Sequence, residues 1–146
     1  IKETTGTTLG DNVKNTGQVV MSQSIMISAA VAAGTTTYDV GVIPKNSQLL
    51  TTTIRVAVVS DQGTSATVSV GKTGSAAFFI GNTNVKALGE VSSIANGALD
   101  QSDRFDSDTQ ITATLIAAGT TATTGQVSIT FTYVQANNLR DKAANI

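Results

Sequence analysis

The chain has 146 residues, 40% of them hydrophobic but only 13% charged, and a formal net charge of −1, where an ordinary globular chain carries about 25% charge. That length fits one domain with a real core, and so weak a charge provides no field for nucleic acid or anionic lipid. There is no Cys and no His, which removes disulfides, thiolate nucleophiles, Cys/His zinc sites and imidazole bases together.

Residues Ile1–Gly17 are rich in Thr, Gly and Asn without a period and read as an extended N-terminal arm. From residue 18 the pattern changes. Val19, Met21, Gln23, Ile25 and Ile27 alternate with Val20, Ser22, Ser24, Met26 and Ser28, a period of two and so a strand. Ala29–Ala33 reads as a connection. No apolar run reaches the ~20 residues of a membrane helix, and the polar residues ahead of Ile25–Ala33 argue against a signal peptide.

Thr36–Ile43 is the next strand, ended by Pro44, the only proline, and a Lys45-Asn46-Ser47 turn. Leu49–Ser60 is a long strand in which Leu50, Ile54, Val56 and Val58 stand out. Asp61-Gln62-Gly63-Thr64 turns the chain. In Ala66–Val70, Ala66, Val68 and Val70 take one face and Thr67 and Ser69 the other. Ala76–Ile80 is a short apolar strand, and Gly81-Asn82-Thr83-Asn84 is expected to be a turn. Val85–Leu88 and Ser93–Leu99 are weaker elements. Asp100–Asp108 reads as a polar loop. Thr109–Ala117 alternates again, Ala118–Gly125 is expected to be a Thr/Gly hairpin turn, and Gln126–Val134 carries the strongest strand signal, with Val127, Ile129, Phe131 and Tyr133 on one face. Ala136–Ile146 is a short C-terminal tail. Eight or nine strands with turns every 8–12 residues describe a sandwich or barrel, with residues 18–135 as its domain.

Roughly one residue in six is Thr, a β-branched type suited to a pleated, half-exposed surface. The surface is therefore expected to be polar but uncharged. The basic residues stand singly and aromatics are 4% of the chain, so no base-stacking platform is expected.

Three candidate sites were weighed on their residues. Gly71-Lys72-Thr73 follows a strand and ends as a phosphate loop does. That loop needs Gly five residues before the second Gly and a helix after it. Ala66 stands at the first place, and Gly74-Ser75 followed by a short apolar run stands at the second. A hairpin turn fits better, with Gly71 and Gly74 supplying positive φ. Asp100, Asp103, Asp106 and Asp108 could offer oxygens to Ca²⁺. Their spacing misses the EF-hand pattern, no Glu follows, and Arg104 lies within the run. The expectation is a solvated loop with Asp106 or Asp108 capping the turn before Thr109, and no metal or cofactor. Glycoside hydrolysis needs paired carboxylates. The only Glu residues are Glu3 and Glu90, there is no Trp, and nothing selects an Asp pair. No enzyme activity and no catalytic residue is expected.

Val42-Ile43-Pro44-Lys45-Asn46-Ser47-Gln48-Leu49-Leu50 leads into a long strand, followed by Val68-Ser69-Val70-Gly71-Lys72-Thr73-Gly74-Ser75. Later come Asp108-Thr109-Gln110-Ile111-Thr112 and the Gly119–Gly125 Gly/Thr run before the last strand. This order, from Val42 to Val134, resembles small structural proteins of tailed bacteriophages, the head decoration (cement) proteins and head-fibre bases. Lys72 departs from the small or acidic residue more usual in that turn. The resemblance implies a jelly-roll-like antiparallel β-sandwich, a homotrimer on the capsid surface of the virion bound to the major capsid protein, and no catalytic residues to carry over. A fibre or tail component binding a host-surface glycan is the alternative, and an exposed aromatic cluster or a metal-organised Asp100–Asp108 loop would favour it.

Overall fold

A computed structural model describes residues 2–4, 7–9, 19–45, 47–93, 105 and 107–135. Most of the arm, the Asn46 position, the element expected over 94–99, the carboxylates Asp100, Asp103 and Asp106, and the tail after residue 135 lie outside the described residues. Within the arm, β1 (Lys2–Thr4) pairs antiparallel with β2 (Thr7–Leu9) as a small separate sheet.

Eight further strands make two antiparallel sheets: β3 (Val19–Ser28), β4 (Gly34–Ile43), β5 (Gln48–Val58), β6 (Ser65–Lys72), β7 (Ser75–Asn84), β8 (Gly89–Ser92), β9 (Thr109–Ala118) and β10 (Gln126–Gln135). One sheet runs β3-β10-β5-β8 and the other β4-β9-β6-β7. Among these eight, the first pairs with the last, the second with the seventh, the third with the sixth and the fourth with the fifth. The fold is an all-β sandwich, and this wrapped order is compatible with a jelly roll.

The alternation of β9 and β10 decides how the sheets face. Val127, Ile129, Phe131 and Tyr133 point inward from one central strand, and Ile111, Ala113 and Leu115 from the other; all are buried. They join Ile27, Leu49, Ile54, Val68, Val70 and Ile80 in one apolar cluster. Phe131 is fully buried and stacks on Tyr133 at 5.9 Å. Tyr38 spans the layers and donates its hydroxyl proton to the Ser28 carbonyl at 2.9 Å.

Several expectations require correction. Gly81-Asn82-Thr83-Asn84 is not a turn but the second half of β7, with Thr83 opposite Val68 and Asn84 opposite Thr67. Its turn-like composition is overridden by pairing with an already placed strand. Of the two readings open for Val85–Leu88, strand or short turn, the chain takes the bend, and the strand here is β8, four residues further along. Ala118–Gly125 is not a hairpin turn. β9 and β10 belong to different sheets, so the segment crosses the sandwich. In β5, register breaks at each end put Leu49, Thr52, Ile54 and Val56 inside and leave Val58 41% exposed.

Truncating Phe131 removes the largest fully buried side chain of β10 from a site with no solvent access. Phe131→Ala is expected to cost about 3–5 kcal/mol in urea unfolding, a large share of a domain's ordinary stability, whereas Phe131→Leu should cost clearly less.

Candidate functional site

The two outward faces are built by the same alternation that builds the core. On the β3-β10-β5-β8 sheet it sets out Ser22 and Ser24, then Ser128, Thr130 and Thr132, then Thr51 and Thr53, with Ser92 at the far edge. Their hydroxyls bond across strands: Ser24 with Thr130 at 2.9 Å, Thr132 to Ser22 at 3.1 Å, and Thr51 with Ser92 at 3.2 Å. Such cross-strand hydroxyl pairs hold the side chains in place. The charges on this face are Arg55 and Glu90, opposite one another in register. On the other sheet Thr35, Thr37 and Asp39 are exposed and Thr67 is half-buried, whereas Ser69, Thr112 and Thr114 on the two central strands are buried. Both faces therefore present hydroxyls and methyls with little charge.

The β6–β7 turn answers the Gly71-Lys72-Thr73 question. Lys72 pairs with Ser75 around a two-residue Thr73-Gly74 turn, and Gly74 holds φ at +87°. Gly71 does not have a positive φ, which corrects half of the expectation. It is Gly for another reason. A Cβ there would run into the backbone of Ser75 and Ala76, because between the pairs Val70↔Ile80 and Lys72↔Ser75 strand β7 has four residues where β6 has only Gly71. The looped-out start of β7, together with Thr37, Thr112 and Thr114, lines a shallow groove of about 390 Å³. Lys72 Nζ lies 4.1 Å from the centre of the Phe78 ring, and Phe78 meets Phe79 edge-on at 5.0 Å. Its ammonium is thus engaged by an aromatic face, a contact of about 0.5–1 kcal/mol at an exposed site, and no helix follows to receive a phosphate.

One end of the sandwich is laced shut. Asp61 of the 59–64 connection accepts from the Thr123 N–H at 2.7 Å, the Thr124 N–H at 2.9 Å and the Thr123 hydroxyl at 2.7 Å. These donors hold its carboxyl well below the usual carboxylate range, the Thr124 N–H contributing most. Buried Gln62 donates to the Thr120 carbonyl at 2.6 Å, and Lys86 Nζ to the Thr64 carbonyl at 3.2 Å. Sequence reading saw only a turn at Asp61-Gln62-Gly63-Thr64, because the partners lie about sixty residues away. At the opposite end Asp108 accepts from the Lys45 N–H at 2.8 Å. It caps the turn after Pro44, not the turn before its own strand. The register partners Val19 and Gln135 lie at this end, so the start of β3 and the end of β10 sit side by side.

A groove of about 510 Å³ is lined by Val56, Asn82, Asn84, Leu88, Glu90 and Val91 among others. Its lining brings one carboxylate, Glu90, and one hydroxyl, Thr83, beside amides and apolar groups. Among the described residues no three acidic side chains gather to hold a metal, and no helix is long and apolar enough to cross a membrane. Phe78 is 41% exposed, while Phe79, Phe131 and Tyr133 are buried, so the described residues offer no exposed aromatic cluster.

No family model matches the sequence, and no curated protein does. Solved structures do. The fold is similar to that of a chain in the acid-stable capsid of Helicobacter pylori bacteriophage KHP30, with a TM-score of 0.61 at 11% identity over 81% of this chain and 89% of that one. It is similar to a chain in the capsid of Ralstonia phage GP4, with a TM-score of 0.55 at 20% identity over 86% and 90%. A chain of the cyanophage Pam1 capsid gives 0.58 at 17% identity over 92% and 98%. At these identities the likeness is one of fold.

Two outcomes are expected here. Gly71→Ala must displace the β7 backbone and should cost about 1–3 kcal/mol in denaturant unfolding. For Asp61, a lowered folded pKa means that the unfolded chain binds the proton more tightly. Its stabilisation is therefore complete above the unfolded value of about 3.9 and is lost as pH falls toward the folded one. The gap in melting temperature between the wild type and Asp61→Ala should be constant above about pH 5 and narrow steadily below pH 4.

Proposed function

We propose that the chain is a structural protein of a bacteriophage virion, a decoration protein that binds the assembled head and stabilises it. The observation that carries this reading is the sandwich itself, similar across most of its length to chains of three phage capsids. The surface chemistry supports it. The outward faces offer hydroxyls and methyls, suited to close packing against a neighbour without stripping water from many charges. The absence of any catalytic grouping among the described residues agrees with a role in assembly, and no enzymatic step is proposed.

In this reading the protein acts as a homotrimer on the capsid surface, each copy touching the major capsid protein. Several modest contacts then add through effective concentration, and the decorated shell resists separation of its subunits. The start of β3 and the end of β10 lie side by side at the end away from the Asp61 lacing, and in this reading the arm and the tail reach the shell from there. The glycan-binding alternative draws less support, since Phe78 is engaged by Lys72.

Titrating purified protein onto bare heads of the phage that encodes it tests this. Saturable binding and a raised head-disruption temperature are expected. Because the faces are nearly uncharged, affinity should change less than about threefold between 50 and 500 mM NaCl. No saturable binding, or no gain in heat resistance, would sink the decoration role.

A further inference from the structure

Each sheet of the sandwich has two edges, and an unpaired edge is a template for another strand unless it is blunted. Three of the four edges are. β8 is four residues long and carries Glu90. β4 carries Asp39 and a register break beside it. β7 is broken twice in register. The remaining edge, β3, has none of these devices. It runs ten residues without a charge, a proline or a break in its ladder to β10. It also carries Val20, 59% exposed, and Met26, 54% exposed, both on the outward side with Ser22 and Ser24.

The sequence of this edge is self-complementary. Read outward from Gln23, Val19-Val20-Met21-Ser22 mirrors Ser24-Ile25-Met26-Ile27 in polarity. Two copies of β3 laid antiparallel with Gln23 opposite Gln23 place Ser22 against Ser24, Met21 against Ile25, Val20 against Met26 and Val19 against Ile27. Every apolar residue then meets an apolar one and every polar residue a polar one. Sliding by two residues in either direction sets Val20 against a serine and breaks the match. Because residue 23 meets itself, the two-fold axis stands perpendicular to the sheet, and the two hydroxyl faces join on one side.

We propose that β3 is a homotypic interface. Two copies of this chain pair antiparallel through β3 in this register, merging two four-stranded sheets into one of eight strands. The occupant is a second copy because only this strand is guaranteed to carry the mirrored pattern. An uncharged edge offers a charged partner nothing to select it by. The contact is isologous, so it joins copies in twos. It does not rest on the phage reading. If trimers form through another surface, β3 pairing links two of them.

Native mass spectrometry of the full chain, with and without Val20→Lys, tests the proposal. The wild type is expected as a dimer, or a hexamer if trimers also form. Val20 faces solvent, so the variant should keep its melting temperature while its mass halves, with association weakened roughly tenfold or more by a lysine set against Met26 on both sides of the axis. A second measurement fixes the register. The chain has no cysteine, and directly opposed residues of an antiparallel pair sit about 4.5–5.5 Å apart at Cα, within disulfide reach. An equal mixture of Ser22→Cys and Ser24→Cys should cross-link on oxidation faster than either variant alone. A monomer or an odd-numbered assembly in the wild type, an unchanged mass in folded Val20→Lys, or a mixture no faster than its components would each overturn it.

Discussion

The sandwich depends on the last strand finding the first. β10 is hydrogen-bonded along its whole length to β3 on one side and to β5 on the other, and its inward residues Ile129 and Phe131 have no solvent access. Without β10, β3 has no neighbour in its sheet, β5 loses one of its two, and the Asp61 lacing has no 119–125 segment to hold. The pairing with β3 joins residues about a hundred positions apart and the pairing with β5 residues about 70 to 85 apart, so the loop-closure entropy of the chain is met only late, when both central strands are in place. The wrapped order of the strands follows from that closure. Once the first and last of the eight pair, the inner pairs fall between them in sequence.

The period of two that fills the core also sets the chemistry of the surface. On β10 every inward Val, Ile or Phe has an outward Ser or Thr beside it, and the hydroxyls of that sheet bond across strands instead of pointing freely into water. The charges that remain are set largely apart from these carpets or are already engaged. Asp61 is held by Thr123 and Thr124, Asp108 by the turn after Pro44, and Lys72 by Phe78. A protein built this way has little means of attracting a partner over distance and much surface suited to close contact. That combination favours assembly over catalysis or nucleic-acid binding, and it makes an unblunted edge such as β3 more consequential than it would be on a highly charged molecule.

Much of the fold was legible because β3, β4, β9 and β10 alternate over eight or more residues, enough for pattern to exceed composition. What failed did so for local reasons. β8 is too short to show a period. The second half of β7 has the composition of a turn and becomes strand only because β6 lies beside it. The Gly119–Gly125 run looks like a hairpin, since turn residues say that the chain bends but not which sheet the next strand joins. In sequence Gly71 looks like a conformational glycine, yet it is required by the close approach of Ser75 and Ala76, which depends on a bulge that sequence does not reveal. The resemblance to phage head proteins rested on these same short motifs, and the fold-level similarity to phage capsid chains agrees with it. Asp61 and Gln62 escaped notice because their partners are remote in sequence and close only after the sheets have packed.

The proposal to be tested is that this sandwich serves as part of a phage shell. The most direct measurement is the location of this chain in the purified, intact particle by electron cryo-microscopy. The account predicts density fitting the β3–β10 sandwich on the outer surface of the head, at regular positions touching more than one subunit of the major capsid protein. Particles that lack the chain, or that carry it only in the tail or in its fibres, would contradict it.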